Sequence, residues 1–183
     1  NMFSYAVNNP LQMIDPDGDD PFLCSRPISG IAPGAHLFVV TGAKTVGDQS
    51  SALKVHSFGD NGSDVTGRVG SSTTGMSANT SRDDNAAWAQ AGAPGSETDC
   101  VPIPATDSAV DTQASALMEE LPYSLVPSTL PDGGGTLGTA NSNAAAQAIA
   151  NEASGVRVAT PGTKWTPGAE QWSRVPFDVN KDG

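Results

Sequence analysis

The sequence predicts an α+β domain, a small antiparallel sheet packed on two or more helices and joined by long loops. Two short β-branched and aromatic runs, residues 36–41 and 53–58, lie close together in the first third of the chain. Two segments with helical spacing, residues 107–121 and 141–153, come much later. Between and around them, 20 Gly and 14 Pro against 37% hydrophobic and 5% aromatic residues leave a modest core and much loop.

Each element has its own local signal. Pro21, Pro27, Gly30, Pro33 and Gly34 make residues 21–34 a leading loop. His36-Leu37-Phe38-Val39-Val40-Thr41 follows as a strand, and a polar loop with Gly47, Asp48 and Gln49 turns the chain into Leu53-Lys54-Val55-His56-Ser57-Phe58. Alternation places Leu53, Val55 and Ser57 on one side of that second strand and Lys54, His56 and Phe58 on the other. Residues 59–100 are rich in Gly, Ser, Thr, Asn and Asp, with few anchors beyond Val65, Val69 and Trp88, and read as a long surface excursion.

The first helix is carried by Val110, Ala114, Leu117, Met118 and Leu121, with Ser108-x-x-Asp111 as a capping box and Pro122 as the stop. The second, alanine-rich, starts at Asn141 and is closed by Gly155. Pro161, Gly162, Pro167 and Gly168 around Trp165 and Trp172 describe an irregular C-terminal arm that wraps the body.

The bulk numbers exclude some functions. A length of 183 residues suits one domain. Nine Lys plus Arg against 20 Asp plus Glu give a net charge of -11 with no basic run, which disfavours nucleic acid as a partner, since phosphate binding needs cations. A metal-dependent nuclease therefore needs a carboxylate and histidine cluster that the sequence does not assemble. Cys24 and Cys100 have no metal-ligand spacing; they form either one disulfide or two buried thiols. No apolar stretch is long enough to span a bilayer, and residues 1–20 lack the blocks of a signal peptide, so export requires a segment upstream or a dedicated secretion system.

Phe3, Tyr5, Asn8, Asn9, Pro10, Asp15, Pro16 and Gly18 follow one another in an order and spacing that resembles the end of an RHS core, the shell of RHS-repeat polymorphic toxins. The resemblance divides the chain into residues 1–20, the core end and junction, and residues 21–183, the C-terminal toxin domain. It implies a secreted effector, delivered into a target cell in interbacterial competition, with the RHS shell, a cognate immunity protein and a target-cell component as partners. In the family the shell cleaves itself at this junction; Asp19 stands where the family has leucine, which weighs against cleavage here.

Candidate chemistry lies at Asn141-Ser142-Asn143, which opens the alanine-rich helix after a glycine-rich loop. A hydroxyl there sits beside unpaired N–H groups and the positive end of the helix dipole, where an oxyanion is stabilised. Ser and Asn are also good N-caps, so capping alone is the competing account. The order of His36 in a strand, Ser57-Phe58-Gly59 ending a second strand and Asn-Ser-Asn opening a helix resembles circularly permuted papain-like enzymes, including relatives of lecithin retinol acyltransferase. His36-x-Phe38-Val39-Val40, Ser57-Phe58-Gly59 and Asn141-Ser142-Asn143 in series also resemble some RHS toxin ends.

That resemblance implies a permuted papain-like fold and a hydrolase or acyltransferase acting on an amide or ester bond. Ser142 would be its nucleophile in place of cysteine, His36 its base, Asn141 the residue paired with the nucleophile, and backbone N–H groups its oxyanion donors. The alternative of another class is a non-catalytic toxin or binding module acting on a partner protein or membrane. His56, Tyr123 and Asp99 have no assigned place. Asp178, Asn180 and Asp182 match the first half of a calcium loop without its closing acid, so Ca2+ competes there with a solvated acidic tail, and no other cofactor is expected.

Overall fold

A computed structural model describes residues 20–28, 34–49, 51–60, 76–79, 82–117, 141–166 and 168–170. The junction residues 1–19, Tyr123, and the acidic series Asp178, Asn180 and Asp182 lie outside them. In chain order the elements are β1 (Phe22–Pro27), β2 (Ala35–Thr41), β3 (Lys54–Asp60), β4 (Met76–Asn79), α1 (Arg82–Gln90), β5 (Asp99–Pro102), α2 (Asp107–Ala116) and α3 (Ser142–Ser154). The five strands form one antiparallel sheet in the order β4-β3-β2-β1-β5. The arrangement is α+β, as the sequence predicts, with three described helices.

Helices cover both faces of the sheet. Alternate residues Leu23, Leu37, Val39 and Phe58 pack with Val110 of α2 and with Ala144, Ala148 and Ile149 of α3. Their neighbours Phe22, Cys24, Phe38 and Val40 pack on Trp88 of α1 from the other side. Burial on both sides makes β2 a nearly continuous apolar run. Leu53 and Val55 belong to the Trp88 side, and Phe58 lies on the opposite one, in keeping with the predicted alternation.

The described segments within residues 59–100 depart from the expected surface excursion. β3 continues to Asp60, β4 pairs with it, and α1 and β5 follow. Trp88 supplies the anchor: it is fully buried, its ring lies 5.8 Å from that of Phe22, and its indole N–H donates to the Asp48 carbonyl at 2.6 Å. A single large aromatic side chain thus docks a helix whose other residues are polar or small.

α2 begins where predicted, but its cap is Thr106, whose hydroxyl accepts from the Ala109 N–H at 3.2 Å. Asp111, assigned by the sequence to a capping box with Ser108, turns to the sheet instead. The helix ends at Ala116, short of the predicted 121; residues 118–121 are outside the described set.

α3 matches its prediction closely, with Asn141 as N-cap and Gly155 in the left-handed region at φ 66 as C-cap. Residues 142 to 151 are all buried. Small alanine side chains let this helix approach β2 and β3 closely on every side. Cys24 and Cys100, paired across β1 and β5, form a disulfide, which decides between the two states the sequence leaves open.

Candidate active site

β1 and β2 bring Arg26 and His36 opposite one another in register. Side chains two apart on a strand share a face, so His36 lies on the face of Phe38 and Val40, toward α1. Asp84, in the first turn of α1 and fully buried, receives both of them. Its Oδ2 accepts from His36 Nε2 at 3.0 Å and from the Ser57 hydroxyl of β3, and its Oδ1 accepts from Arg26 Nε. Three adjacent strands each contribute one donor to a single carboxylate.

Trp88 explains why Asp84 points inward, because residues four apart on a helix lie on one face and Trp88 is locked against the sheet. Burial by itself would push the Asp84 carboxyl up. The hydrogen bond and charge of His36, together with the bonds from Ser57 and Arg26, outweigh it and hold the group below the ordinary carboxylate range.

Ser142 reaches the same histidine from the other side of the sheet. β2 and β3 are paired in register over Thr41↔Lys54, Val40↔Val55 and Val39↔His56. Toward the start of β2, Asn143 takes backbone groups of that strand: its Oδ1 accepts from the Leu37 N–H at 2.7 Å, and its Nδ2 donates to the Ala35 carbonyl at 3.0 Å. A buried side-chain amide thus acts as a strand residue and fixes the start of α3 against β2. The residue before it, Ser142, then lies with Oγ 3.0 Å from His36 Nδ1.

An ionised Asp84 takes the Nε2 proton in its hydrogen bond, which leaves Nδ1 bare to accept from the Ser142 hydroxyl. The result is a continuous Ser142–His36–Asp84 chain of hydrogen bonds. The imidazole is 13% exposed and Ser142 is buried at 6%, while the Asp84 carboxylate is fully sealed.

Ser142 is not the helix cap. Asn141 is, accepting from the Ala144 N–H through Oδ1 at 3.0 Å and from the Ala145 N–H through its carbonyl at 3.0 Å. Asn141, predicted to assist the nucleophile, is thereby engaged in capping. Ser142 is the first helical residue, where helix geometry supplies no partner for the backbone N–H.

His56 stands on the opposite face of the sheet, in a separate cluster. Its Nε2 lies 2.9 Å from Asp111 Oδ1, and Thr41 donates to the same oxygen at 2.9 Å, while Lys54 pairs with the other. Burial lowers the His56 pKa, against the opposing hydrogen bond and charge of Asp111. The Thr41 hydroxyl spends its proton on Asp111 and is not activated. Asp99 is half exposed and 3.9 Å from Lys164, apart from the Ser142–His36–Asp84 chain.

Sequence reasoning singled out Ser142 and His36, named Asn143 beside them without its role in fastening α3 to β2, and missed Asp84 and Arg26. The one available signal for Asp84 was an acid one helical turn before the lone tryptophan of its segment. Among the described residues no group of three or more His, Cys, Asp or Glu could hold a metal ion, and no helix is long and apolar enough to cross a membrane. No family model, curated protein or solved structure matches the chain.

Proposed function

We propose that this chain is a serine-dependent hydrolase or acyltransferase that acts on an ester or amide bond, with Ser142 as nucleophile, His36 as general base and acid, and Asp84 as the orienting carboxylate. The observation that carries the reading is the unbroken Ser142 Oγ–His36–Asp84 chain, with 3.0 Å at both histidine contacts. A serine needs such a base far more than a cysteine does, and the buried, Arg26-held Asp84 fixes the tautomer that supplies it.

The chemistry runs in two halves. Ser142 Oγ attacks the carbonyl carbon as His36 Nδ1 takes the hydroxyl proton, and the imidazolium is stabilised by Asp84. The tetrahedral oxyanion faces the Ser142 backbone N–H and the positive end of the α3 dipole, the Ala144 and Ala145 N–H groups being taken by Asn141. As the carbon–heteroatom bond breaks, His36 returns the proton to the leaving alcohol or amine, which leaves an acyl-Ser142 ester. Water or an acceptor hydroxyl then gives its proton to His36 and takes the acyl group, restoring Ser142.

The biological setting we propose is that of an RHS toxin effector domain, exported and met by an immunity protein. Supporting it are the RHS-like series from Phe3 to Gly18 and the Cys24–Cys100 disulfide, a bond found mainly in oxidising compartments. The test pairs ester hydrolysis by the purified chain with growth of a bacterium that exports it. Ser142→Ala is expected to lower turnover by a factor on the order of 10^4 or more. It should change the melting temperature by roughly 2–4 °C, the worth of one hydrogen bond. Undiminished turnover or toxicity in the folded variant overturns the reading.

A further inference from the structure

We infer that the arm residues 161–166 and 168–169 form the acyl-binding wall of this site and that Trp165 is its platform for an uncharged, apolar acyl group; the inference rests on the acyl-transfer reading of Ser142. The arm is fastened beside both reacting side chains. Ala35, which precedes His36, donates its N–H to the Trp165 carbonyl at 2.8 Å, and Gly34 and Trp165 form a parallel β-bridge. Gly168, at φ +85, lies so close to Asn141, which precedes Ser142, that a Cβ there would stand 2.5 Å from the Asn141 Oδ1. Ser25 Oγ donates to the Pro161 carbonyl at 3.2 Å, and Lys164 Nζ donates to the Glu97 carbonyl at 2.9 Å, so the arm is tied down before it reaches the site.

Bridge partners in a sheet carry their side chains on the same face, and Gly34 shares a face with His36 two residues on. Trp165 is therefore directed to the side of the sheet from which His36 works. Gly34 has no side chain to fill the space between them. The indole is 51% exposed, more than Val156 or Val46, the other exposed large apolar side chains among the described residues. An aromatic surface of that size left open on the face of the general base is a place for an apolar group.

Charge narrows the class. Arg26 is held by Asp84, and Lys164 lies near Asp99 and bonds the Glu97 carbonyl, so both of these cations are already engaged with acceptors. The chain as a whole carries a net charge of -11. A carboxylate or phosphate on the acyl side would meet a chain of strongly negative net charge, whereas an alkyl chain meets the indole.

The experiment compares 4-nitrophenyl acetate with 4-nitrophenyl octanoate on the wild-type chain, Trp165→Ala and Trp165→Phe. In parallel, calorimetry measures octanamide against acetamide binding to Ser142→Ala, with and without Trp165→Ala. The octanoate-to-acetate ratio of kcat/KM is expected to fall about 10-fold in Trp165→Ala and to be largely kept in Trp165→Phe, with octanamide binding lost in the first. An unchanged ratio, or an equal loss on both esters, overturns the platform even though the hydrolase stands. Absence of turnover on either ester together with Trp165-dependent octanamide binding keeps the platform and sinks the hydrolase. Neither turnover nor octanamide binding overturns both.

Discussion

Replacing Asp84 by asparagine separates a catalytic carboxylate from a merely buried one. Asp84 offers two oxygens to three donors: Arg26 on one, His36 and Ser57 on the other. Asparagine keeps the shape and offers one oxygen. If that oxygen turns to Arg26, the amide NH2 faces His36 Nε2 and the ring must accept there, which moves its proton to Nδ1, against Ser142. If it turns to His36, the NH2 faces the Arg26 guanidinium, and this largely buried cation keeps only the Pro27 carbonyl as acceptor. In the first orientation the histidine is the wrong tautomer for a base, a fault that costs about 10^4-fold in kcat elsewhere. In either, a buried ion pair is broken, which costs about 3–5 kcal/mol. For a domain of this length that is a drop of roughly 6–20 °C in melting temperature. Combining Asp84→Asn with Arg26→Met should recover part of the stability, because no buried cation is then left unpaired, and none of the activity. The assays are thermal unfolding by circular dichroism and ester turnover on the same samples. Retention of more than a tenth of kcat/KM by a folded Asp84→Asn protein would remove Asp84 from the mechanism, and an unshifted melt would show that the ion pair carries no stability.

Three further outcomes are expected. Cys24→Ala with Cys100→Ala opens a loop of 76 residues, worth about 4.5 kcal/mol on the chain-entropy relation, so the melting temperature should fall roughly 10–18 °C; two freely alkylated thiols in the untreated native protein would contradict it. Asn143→Leu, nearly isosteric, leaves the Leu37 N–H and Ala35 carbonyl without their amide partner and loosens the start of α3, so turnover should drop together with about 2–4 kcal/mol of stability, and full turnover would show that Asn143 does not position Ser142. His56 has a pKa below its ordinary 6.5 when folded, so the unfolded chain binds its proton first as the pH drops: this part of the stability is complete above pH 6.5 and is lost as the pH falls toward the folded value. Asp84 and Asp111, both below 3.8 when folded, add a second loss under that pH. Melts from pH 8 to 3 should show both, with the first missing in His56→Gln; a melt independent of pH between 7.5 and 5 would refute the assignment to His56.

The sequence by itself determined the class of fold, the strands β2 and β3 with their alternation, and α3 with its C-terminal glycine cap. Each of these is written in local signals: a β-branched run, a period of two, an asparagine before and a glycine after an alanine-rich stretch. It also brought Ser142 and His36 forward as a pair, through the resemblance of their order to permuted papain-like enzymes. What it could not show is decided by contacts between residues distant along the chain. α1 is a polar segment with weak helical patterning, stabilised by one buried tryptophan against Phe22 and the Asp48 carbonyl, so composition made it look like loop. Asp84 is one acid among 20 Asp and Glu, and becomes distinct only when three strands aim donors at it. Whether Ser142 or Asn141 caps α3 depended on which of two adjacent polar side chains faces inward, and the amide of Asn143 settled that by bonding β2. The chemistry thus rests on strand register and on a side-chain amide that fastens α3 to β2. Both are properties of the assembled sheet, in which residues more than 100 positions apart meet within hydrogen-bonding distance.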